Sequence, residues 1–232
     1  MLELFPEGFE ERDLPDGVEL AAYTDAGGEE RLWAAFGTVS AGDVAAGWED
    51  RWRDFHRPIR IGELWVGPPW EPAPRDAKTV VIDPGRAFGT GGHATTRLCL
   101  ELLGELAPQS LADVGCGSGV IAIAAARLGF GPVLAIDHDP VAIEATARNA
   151  AANGVALDLR LADPLQEGLP QSELVVANVS EAFVRELRPS PATTSVIASG
   201  YLESRRPQLA RFRLEDRRAA EGWAADLFRR EE

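Results

Sequence analysis

Three glycines and two aspartates near the middle of the chain have a spacing that suits a ligand-binding turn. The segment LADVGCGSGVIAIAAARLG leads from an apolar strand through Asp113 to Gly115, Gly117 and Gly119, and then into an alanine-rich helix. Glycine permits a positive φ and lets a ligand approach the backbone closely. Asp137 ends the next predicted strand, where a carboxylate of an open α/β sheet can accept both hydroxyls of a ribose. The pattern therefore predicts an adenosine-bearing ligand.

The order of the glycines distinguishes two such ligands. Dinucleotide-binding sheets carry G-x-G-x-x-G, and the helix that follows receives a pyrophosphate at its N-terminus. Here the third glycine comes one residue earlier, and Asp113 precedes the turn by two positions. A carboxylate there repels pyrophosphate and attracts a cation such as the amino group of a methionine moiety. The pattern favours S-adenosylmethionine over NAD, and an NAD-dependent oxidoreductase is the less favoured alternative.

Two later polar residues fit the same crevice. Asp163 follows a predicted strand in RLADPL, where it can hydrogen-bond an adenine amino group, or can instead cap a helix before Pro164. Asn178 ends the apolar strand ELVVAN, and a buried strand seldom ends in an amide that lacks a partner. We therefore predict a functional role for Asn178 and leave both interpretations of Asp163 open.

The surrounding elements predict how these residues are positioned. From Thr79 onward, apolar strands alternate with helices, which indicates a mainly parallel sheet covered on both faces. The predicted strands are TVVID, SLADVG, PVLAID, LDLRLA, ELVVAN, TTSVIASG, FRLED and GWAADLF. The predicted helices are TTRLCLELLGEL, GVIAIAAARLG, PVAIEATARNAAANG and SEAFVREL.

The region before the sheet predicts three further elements. GVELAAYT and RLWAAFG, separated by the turn signal DAGGEE, predict a hairpin. VAAGWEDRWRDFHRP predicts a helix ended by Pro58, and IGELWVGPPWEPAPRD predicts a strand followed by a connector. The expected organisation is a truncated N-terminal substrate-recognition segment over 1–43, a helix and linker over 44–78, and a cofactor-binding domain over 79–232.

Composition narrows the function classes. The formal net charge of −14 disfavours nucleic-acid binding and suits a basic protein or an amine as substrate. No apolar run approaches the roughly 20 residues that span a bilayer, so no membrane association is expected. Cys99 and Cys116 lack the spacing of a disulfide framework or a metal site, which predicts free thiols and a cytoplasmic protein without a metal.

Four segments resemble the PrmA family of S-adenosylmethionine-dependent methyltransferases, which modify ribosomal protein L11. They are DPGRAFGTGGHATTRLCLELL, LADVGCGSGVIAIAAARLG, AIDHDPVAIEATARNAAANGV and VVANVSEAF. The resemblance implies a Rossmann-like class I methyltransferase fold, with a mainly parallel sheet of seven strands and a short or truncated N-terminal α/β segment. It also implies N-methylation of lysine side chains and of the N-terminal amine of ribosomal protein L11.

The resemblance carries roles to individual positions. It implies that Thr96, Gly115, Asp137 and Asn178 contact the cofactor and that Asn178 holds the acceptor nitrogen. Gly117 and Asp163 complete the predicted cofactor contacts from the residue pattern. His93 is either a structural hydrogen-bonding residue of its loop or a proton acceptor.

The sequence is also compatible with two alternative functions. The chain could methylate another protein or a small-molecule amine, because only about 43 residues precede GWEDRW. It could also be an S-adenosylmethionine-binding interaction protein without catalysis.

Overall fold

The computed structural model describes residues 10–14, 17–21, 26–37, 39, 57–83 and 92–231. The chain divides into two compact units, Met1–Trp52 and Arg53–Glu232. In the first unit, strand β1 (Glu10–Leu14) pairs antiparallel with strand β2 (Gly17–Ala21), and helix α1 (Ala26–Phe36) follows them.

The predicted strand RLWAAFG is wrong, because this segment is the second half of α1. Within GVELAAYT, residues 17–21 form β2, which pairs instead with the residues before it. Gly37 ends the helix with a φ of +71° and donates its N–H to the Trp33 carbonyl over 2.9 Å. A left-handed glycine in this position is a helix C-terminal signal, and a short apolar run alone does not distinguish a helix from a strand. The predicted helix over VAAGWEDRWRDFHRP begins outside the described residues and lies almost wholly outside them.

The second unit begins with a small sheet of three strands. Strand β3 (Ile59–Ile61) pairs antiparallel with β4 (Leu64–Gly67), and β4 pairs parallel with β5 (Lys78–Val81). The strand predicted at TVVID is therefore confirmed at β5, but it belongs to this small sheet and not to the main one.

The main sheet has seven strands, as predicted, and is mainly parallel. Its strands are β6 (Leu111–Val114), β7 (Val133–Asp137), β8 (Asp158–Leu161), β9 (Leu174–Asn178), β10 (Ser195–Leu202), β11 (Phe212–Ala220) and β12 (Trp223–Arg230). They lie in the order β11-β12-β10-β9-β6-β7-β8. Strands β8, β7, β6, β9 and β10 run parallel. Strand β12 pairs antiparallel with both β10 and β11, so β12 is the one strand of this sheet that runs against the other six.

Helices connect the parallel strands, and buried residues form a core on each face of the sheet. The helices are α2 (Ala94–Gly104), α3 (Val120–Leu128), α4 (Pro140–Asn153), α5 (Pro164–Glu167) and α6 (Glu181–Glu186). One core joins α2, α3 and the small sheet to the main sheet, with Leu98 and Ile123 among its buried members. The other core contains Val184 and Leu187 from α6 and the segment after it. None of the described helices is long and apolar enough to cross a membrane.

The strand order reverses between β6 and β9. The chain proceeds from β6 through β7 to β8 on one side, then continues with β9 and β10 on the other. Val114 pairs with Ile136 and with Ala177 in the two neighbouring strands. The residues that follow Val114, Ile136 and Ala177 therefore meet at one edge, at the switch point where α/β sheets bind ligands. Those residues are Gly115, Asp137 and Asn178.

Candidate active site

The turn between β6 and α3 depends on three glycines with positive φ. Gly115, Gly117 and Gly119 have φ values of +73°, +54° and +81°. A Cβ atom at Gly115 would lie 2.6 Å from Cγ2 of Val179, and one at Gly119 would lie 2.7 Å from Cγ2 of Thr146. Side chains at these positions would therefore be both strained and too close to their neighbours. The glycines keep the turn open as a backbone-lined cradle.

Asp137 closes this turn from the neighbouring strand. Its Oδ2 accepts the Gly117 N–H over 3.0 Å, and its Oδ1 accepts the Asp139 N–H over 3.0 Å. The residue is 7% exposed. Each carboxylate oxygen can accept more than one hydrogen bond, so the Asp137 carboxylate retains acceptor capacity toward a ligand at the edge of the sheet.

Asp113 has a different position from the one that the sequence suggested. The residue is 1% exposed, and its Oδ2 accepts the Ala122 N–H at the beginning of α3 over 3.0 Å. Burial, together with the negative charge of Asp137, raises the pKa of Asp113 to about 7. The Asp113 carboxyl therefore stabilises the helix that follows the turn. A side chain that binds a cationic group of the ligand would be open to the ligand, whereas Asp113 is buried.

Asn178 and Thr96 lie in contact, although they come from distant parts of the chain. Asn178 is half-buried at the end of β9, and its Nδ2 donates to Oγ1 of Thr96 in α2 over 3.3 Å. Thr96 is fully buried. The sequence predicted a role for each residue but not this contact between them.

His93 has the structural role that the sequence left as one of two possibilities. It is the N-cap residue of α2, and its Nδ1 accepts the Thr95 N–H over 3.3 Å and lies 2.8 Å from Oγ1 of Thr95. Its ring contacts Trp223 edge-to-face, with 5.0 Å between the ring centroids. Because Nδ1 accepts from Thr95, a neutral His93 ring has its proton on Nε2.

Asp163 caps α5, as one of its two interpretations predicted, and its carboxylate oxygens keep lone pairs with which they can also accept a hydrogen bond from an adenine amino group. Its Oδ1 accepts the Leu165 N–H over 3.0 Å, and its Oδ2 accepts from Nε2 of Gln166 over 2.7 Å. Asp163 follows β8, the strand beyond β7, so it lies on the same side of the switch point as Asp137.

Sequence reasoning missed two buried asparagines of α4. Asn149 donates through Nδ2 to the Ser118 carbonyl over 2.9 Å, and its Oδ1 accepts the Asp83 N–H over 3.1 Å. Asn153 accepts the Val81 N–H over 2.8 Å and donates to the Val81 carbonyl over 2.6 Å. The two residues thus join the glycine turn to the end of β5. Their signal in the sequence was a pair of asparagines four positions apart in an alanine-rich helix, hence on one face.

A model of the family described as ribosomal protein L11 methyltransferase (PrmA) matches residues 33–231. The chain belongs to the PrmA family. The matched region contains both sides of the switch point, and therefore the PrmA-family match includes every residue of the candidate site.

Curated relatives support the same assignment. The ribosomal protein L11 methyltransferase of Aeromonas hydrophila subsp. hydrophila is 44% identical over an alignment of 174 residues that covers 70% of this chain and 59% of the relative. That of Symbiobacterium thermophilum is 40% identical over an alignment of 198 residues that covers 78% of this chain and 64% of the relative. The chain thus spans less than two thirds of the length of these PrmA-family relatives.

Solved structures resemble this fold. The crystal structure of a ribosomal protein L11 methylase from Lactobacillus delbrueckii subsp. bulgaricus has a TM-score of 0.65 at 29% identity, and covers 76% of this chain and 100% of its own. A putative RNA methyltransferase from Pyrococcus horikoshii has a TM-score of 0.51 at 16% identity, covers 63% of this chain and 87% of its own, and shows the fold alone. The sheet of this PrmA-family chain is therefore the predicted Rossmann-like sheet of class I methyltransferases.

Proposed function

We propose that the chain is an S-adenosylmethionine-dependent N-methyltransferase that acts on an amine of ribosomal protein L11. The observation that carries the proposal is the meeting of the glycine turn, closed by Asp137, with Asn178 across the switch point of the sheet. A class I methyltransferase sheet and relatives named for this reaction support it. A net charge of −14 suits a basic protein substrate, and we place the reaction in the cytoplasm.

The residues at this edge fit the proposed cofactor. Gly115 and Gly117 form a cradle that a Cβ atom would fill or strain, and Asp137 retains lone pairs for the two ribose hydroxyls. We assign Thr96 and Asn178 to the methionine end and Asp163 to the adenine amino group. When bound, S-adenosylmethionine supplies an electrophilic methyl group on a sulfonium.

Asn178 is the residue that we assign to the acceptor amine. Because its Nδ2 donates to Thr96, its carbonyl oxygen Oδ1 remains an acceptor for an N–H of the incoming amine. A lysine amine has a pKa of about 10.4 in water and must be neutral to react. Desolvation at the site lowers the pKa of such an amine. Asn178 would orient the resulting lone pair toward the methyl group, so that alignment supplies most of the catalysis.

The decisive experiment measures transfer of a labelled methyl group from the cofactor to purified ribosomal protein L11, followed by mass spectrometry of the labelled residue. We expect labelling at a lysine or at the N-terminal amine. Asn178→Ala should lower kcat by about 100-fold, by loss of amine alignment. Glu144→Gln, on the exposed side of α4, is the matched control and should have unchanged turnover. Full turnover by Asn178→Ala at saturating substrate would contradict the assignment of Asn178.

The same protein sample separates the alternatives. Labelling of another protein or of a small amine in a cell extract, with none on ribosomal protein L11, would show that the enzyme acts on a different substrate. If calorimetry shows binding of S-adenosylhomocysteine but no methyl group is transferred to any component of the extract, the chain is a cofactor-binding protein without catalytic activity. Asp137→Asn should weaken that binding by roughly 10- to 100-fold, because hydrogen bonds to a charged acceptor are lost. Asp158→Asn on β8 is the exposed control.

A further inference from the structure

A second cavity opens on the face of the main sheet that carries α6, away from the glycine turn. Its volume is about 630 Å³, within the range of small-molecule sites. The connection between β10 and β11 contains no helix, and its residues 206–211 line this cavity as turns and irregular chain. The apolar part of its lining includes Leu209 and Phe228.

Four arginines line this cavity together with two carboxylates, those of Asp226 and Glu231, so the charge of the lining is mainly positive in a chain with a net charge of −14. Arg185 forms an ion pair with Glu181. Among the described residues, Arg188, Arg206 and Arg211 have no carboxylate oxygen within ion-pair distance, although the charge of Arg206 also acts on Asp226. These three guanidinium groups therefore retain their charge for a ligand.

Two of the three free arginines are held in place by the backbone. Nη1 of Arg188 donates to the carbonyls of Arg185 and Leu187, over 3.1 and 3.0 Å. Nη1 of Arg206 donates to the carbonyls of Glu203 and Arg205. Each guanidinium keeps further N–H donors beyond Nη1, and a fixed fork of donors matches the oxygens of a phosphate.

The third arginine has a strained backbone. Arg211 has a φ of +69°, in the left-handed region that costs a residue other than glycine roughly 1–2 kcal/mol. Its carbonyl accepts the Glu231 N–H over 2.9 Å, which holds this conformation against the end of β12. Strained residues of this kind concentrate at sites that bind ligands.

The cavity lining also contains a buried carboxylate, that of Asp226. Asp226 is 1% exposed, and its Oδ2 accepts from the Tyr201 hydroxyl over 3.0 Å and from Nη1 of Arg217 over 3.1 Å. Its Oδ1 has no hydrogen-bond partner among the described residues. A buried acceptor without a donor is costly, and a ligand hydroxyl would satisfy it.

We propose that this cavity binds a small phosphate ester that carries a hydroxyl group, such as the ribose 5-phosphate unit of a free nucleotide. The phosphate pairs with Arg188, Arg206 and Arg211, and a sugar hydroxyl donates to Oδ1 of Asp226. Leu209 and Phe228 provide the apolar wall. The net charge of −14 repels a long polyanion but leaves this local positive cluster accessible to a small ligand.

The test is calorimetric titration of the full chain with ribose 5-phosphate and with uridine 5′-monophosphate. S-adenosylhomocysteine is present throughout, so that the proposed cofactor site does not contribute. We expect saturable binding that weakens at higher salt. The double substitution Arg188→Gln and Arg206→Gln should raise the Kd by roughly 10-fold or more. Arg213→Gln is the matched control, since Arg213 is an exposed arginine of β11 that does not line the cavity.

Three results would overturn the proposal. The first is no saturable binding of either probe, and the second is an equal Kd for the double variant and the wild type while both melt at the same temperature. The third is tighter binding of a single-stranded RNA than of uridine 5′-monophosphate, which would assign the arginines to a nucleic acid strand. None of these measurements depends on methyl transfer, so failure of the cavity proposal and failure of the proposed activity are distinguishable.

Discussion

Gly200 of β10 lies directly against the backbone of Val179, the residue that follows Asn178. A Cβ atom at Gly200 would lie 2.6 Å from the Val179 carbonyl carbon, and Gly200 has a φ of +95°. The β10 strand has its register shift at this position, between Ser199 and Tyr201. The close approach of Gly200 therefore determines where the chain runs as it leaves Asn178.

Gly200→Ala should lower the free energy of unfolding by roughly 3 kcal/mol, because it adds a steric clash to an unfavourable φ. Gly222→Ala is the matched control, since Gly222 has a φ of +79° and no atom within 4 Å of a built Cβ. The control should lose only about 1 kcal/mol. Chemical denaturation of both variants measures the difference, and equal losses would show that the contact with Val179 carries no energy.

Asn149→Ala should destabilise the fold by roughly 2 kcal/mol and weaken S-adenosylhomocysteine binding. The substitution leaves the buried Ser118 carbonyl and the Asp83 N–H without their partner. Asn149→Asp keeps an acceptor for Asp83 and loses the donor to Ser118, so it separates the two contacts.

The measurements for Asn149 are denaturation and calorimetry, with Glu144→Ala on the same helix as the exposed control. A variant of Asn149 that lost stability while keeping wild-type cofactor affinity would show that the residue does not position the glycine turn.

The free energy of unfolding should contain a contribution from Asp113 that falls as the pH rises from about 4 to about 7. The pKa of Asp113 is raised to about 7 in the folded chain, mainly by burial, whereas an unfolded aspartate titrates near 3.9. The folded state therefore binds more protons in this window, and stability is lost as the pH rises through it. A difference of roughly three pH units corresponds to at most about 4 kcal/mol.

The check on Asp113 is the stability of Asp113→Asn relative to wild type at pH values of about 4.5, 6 and 8. The asparagine does not titrate, so the variant should gain stability relative to wild type as the pH rises. A difference that is constant across the three pH values would disprove the raised pKa.

Both cysteines should resist thiol reagents in the folded protein. Burial, with the charges of Asp113 and Asp137, raises the pKa of Cys116 to about 12, and burial raises the pKa of Cys99 as well. Only the thiolate reacts, so little of either side chain is reactive at pH 8. Reaction with a chromogenic disulfide should be slow in buffer and fast in guanidinium chloride. Rapid reaction of one thiol in buffer would contradict the burial of that cysteine.

The sequence predicted the strands and helices of the main sheet well because their apolar patterns are long and bounded by glycine, proline and capping residues. The positions of Asp137 and Asn178 followed from strand ends, which the apolar runs define clearly. The strand prediction for RLWAAFG was wrong because seven residues without a strict alternation of apolar and polar side chains fit either a strand or a helix. Only Gly37 indicates the end of a helix there. The residue patterns did not predict which distant residues form hydrogen bonds or pack against one another.

The hydrogen bond that Asp113 accepts, and the hydrogen bonds that Asn149 forms, depend on which distant segments of the chain lie together in the fold. A residue pattern shows which groups can form hydrogen bonds but does not show which distant backbone will supply the other half. The sequence likewise did not predict that Gly200 packs against a backbone, because the residue that it contacts, Val179, lies in the connection that follows β9.

The contact of His93 with Trp223 has a consequence for the order in which the site is assembled during synthesis. Arg97, one residue after Thr96, also forms an ion pair with Glu221 at the tip of the β11–β12 hairpin. The start of α2 is thus held in place by contacts with Glu221 and Trp223, which emerge from the ribosome long after α2 does. Translation proceeds from the N-terminus, so Thr96 gains its final surroundings only when the closing hairpin has been made and has docked. A nascent chain that stops before this hairpin would carry the glycine turn but lack the late tether that holds Thr96 beside Asn178.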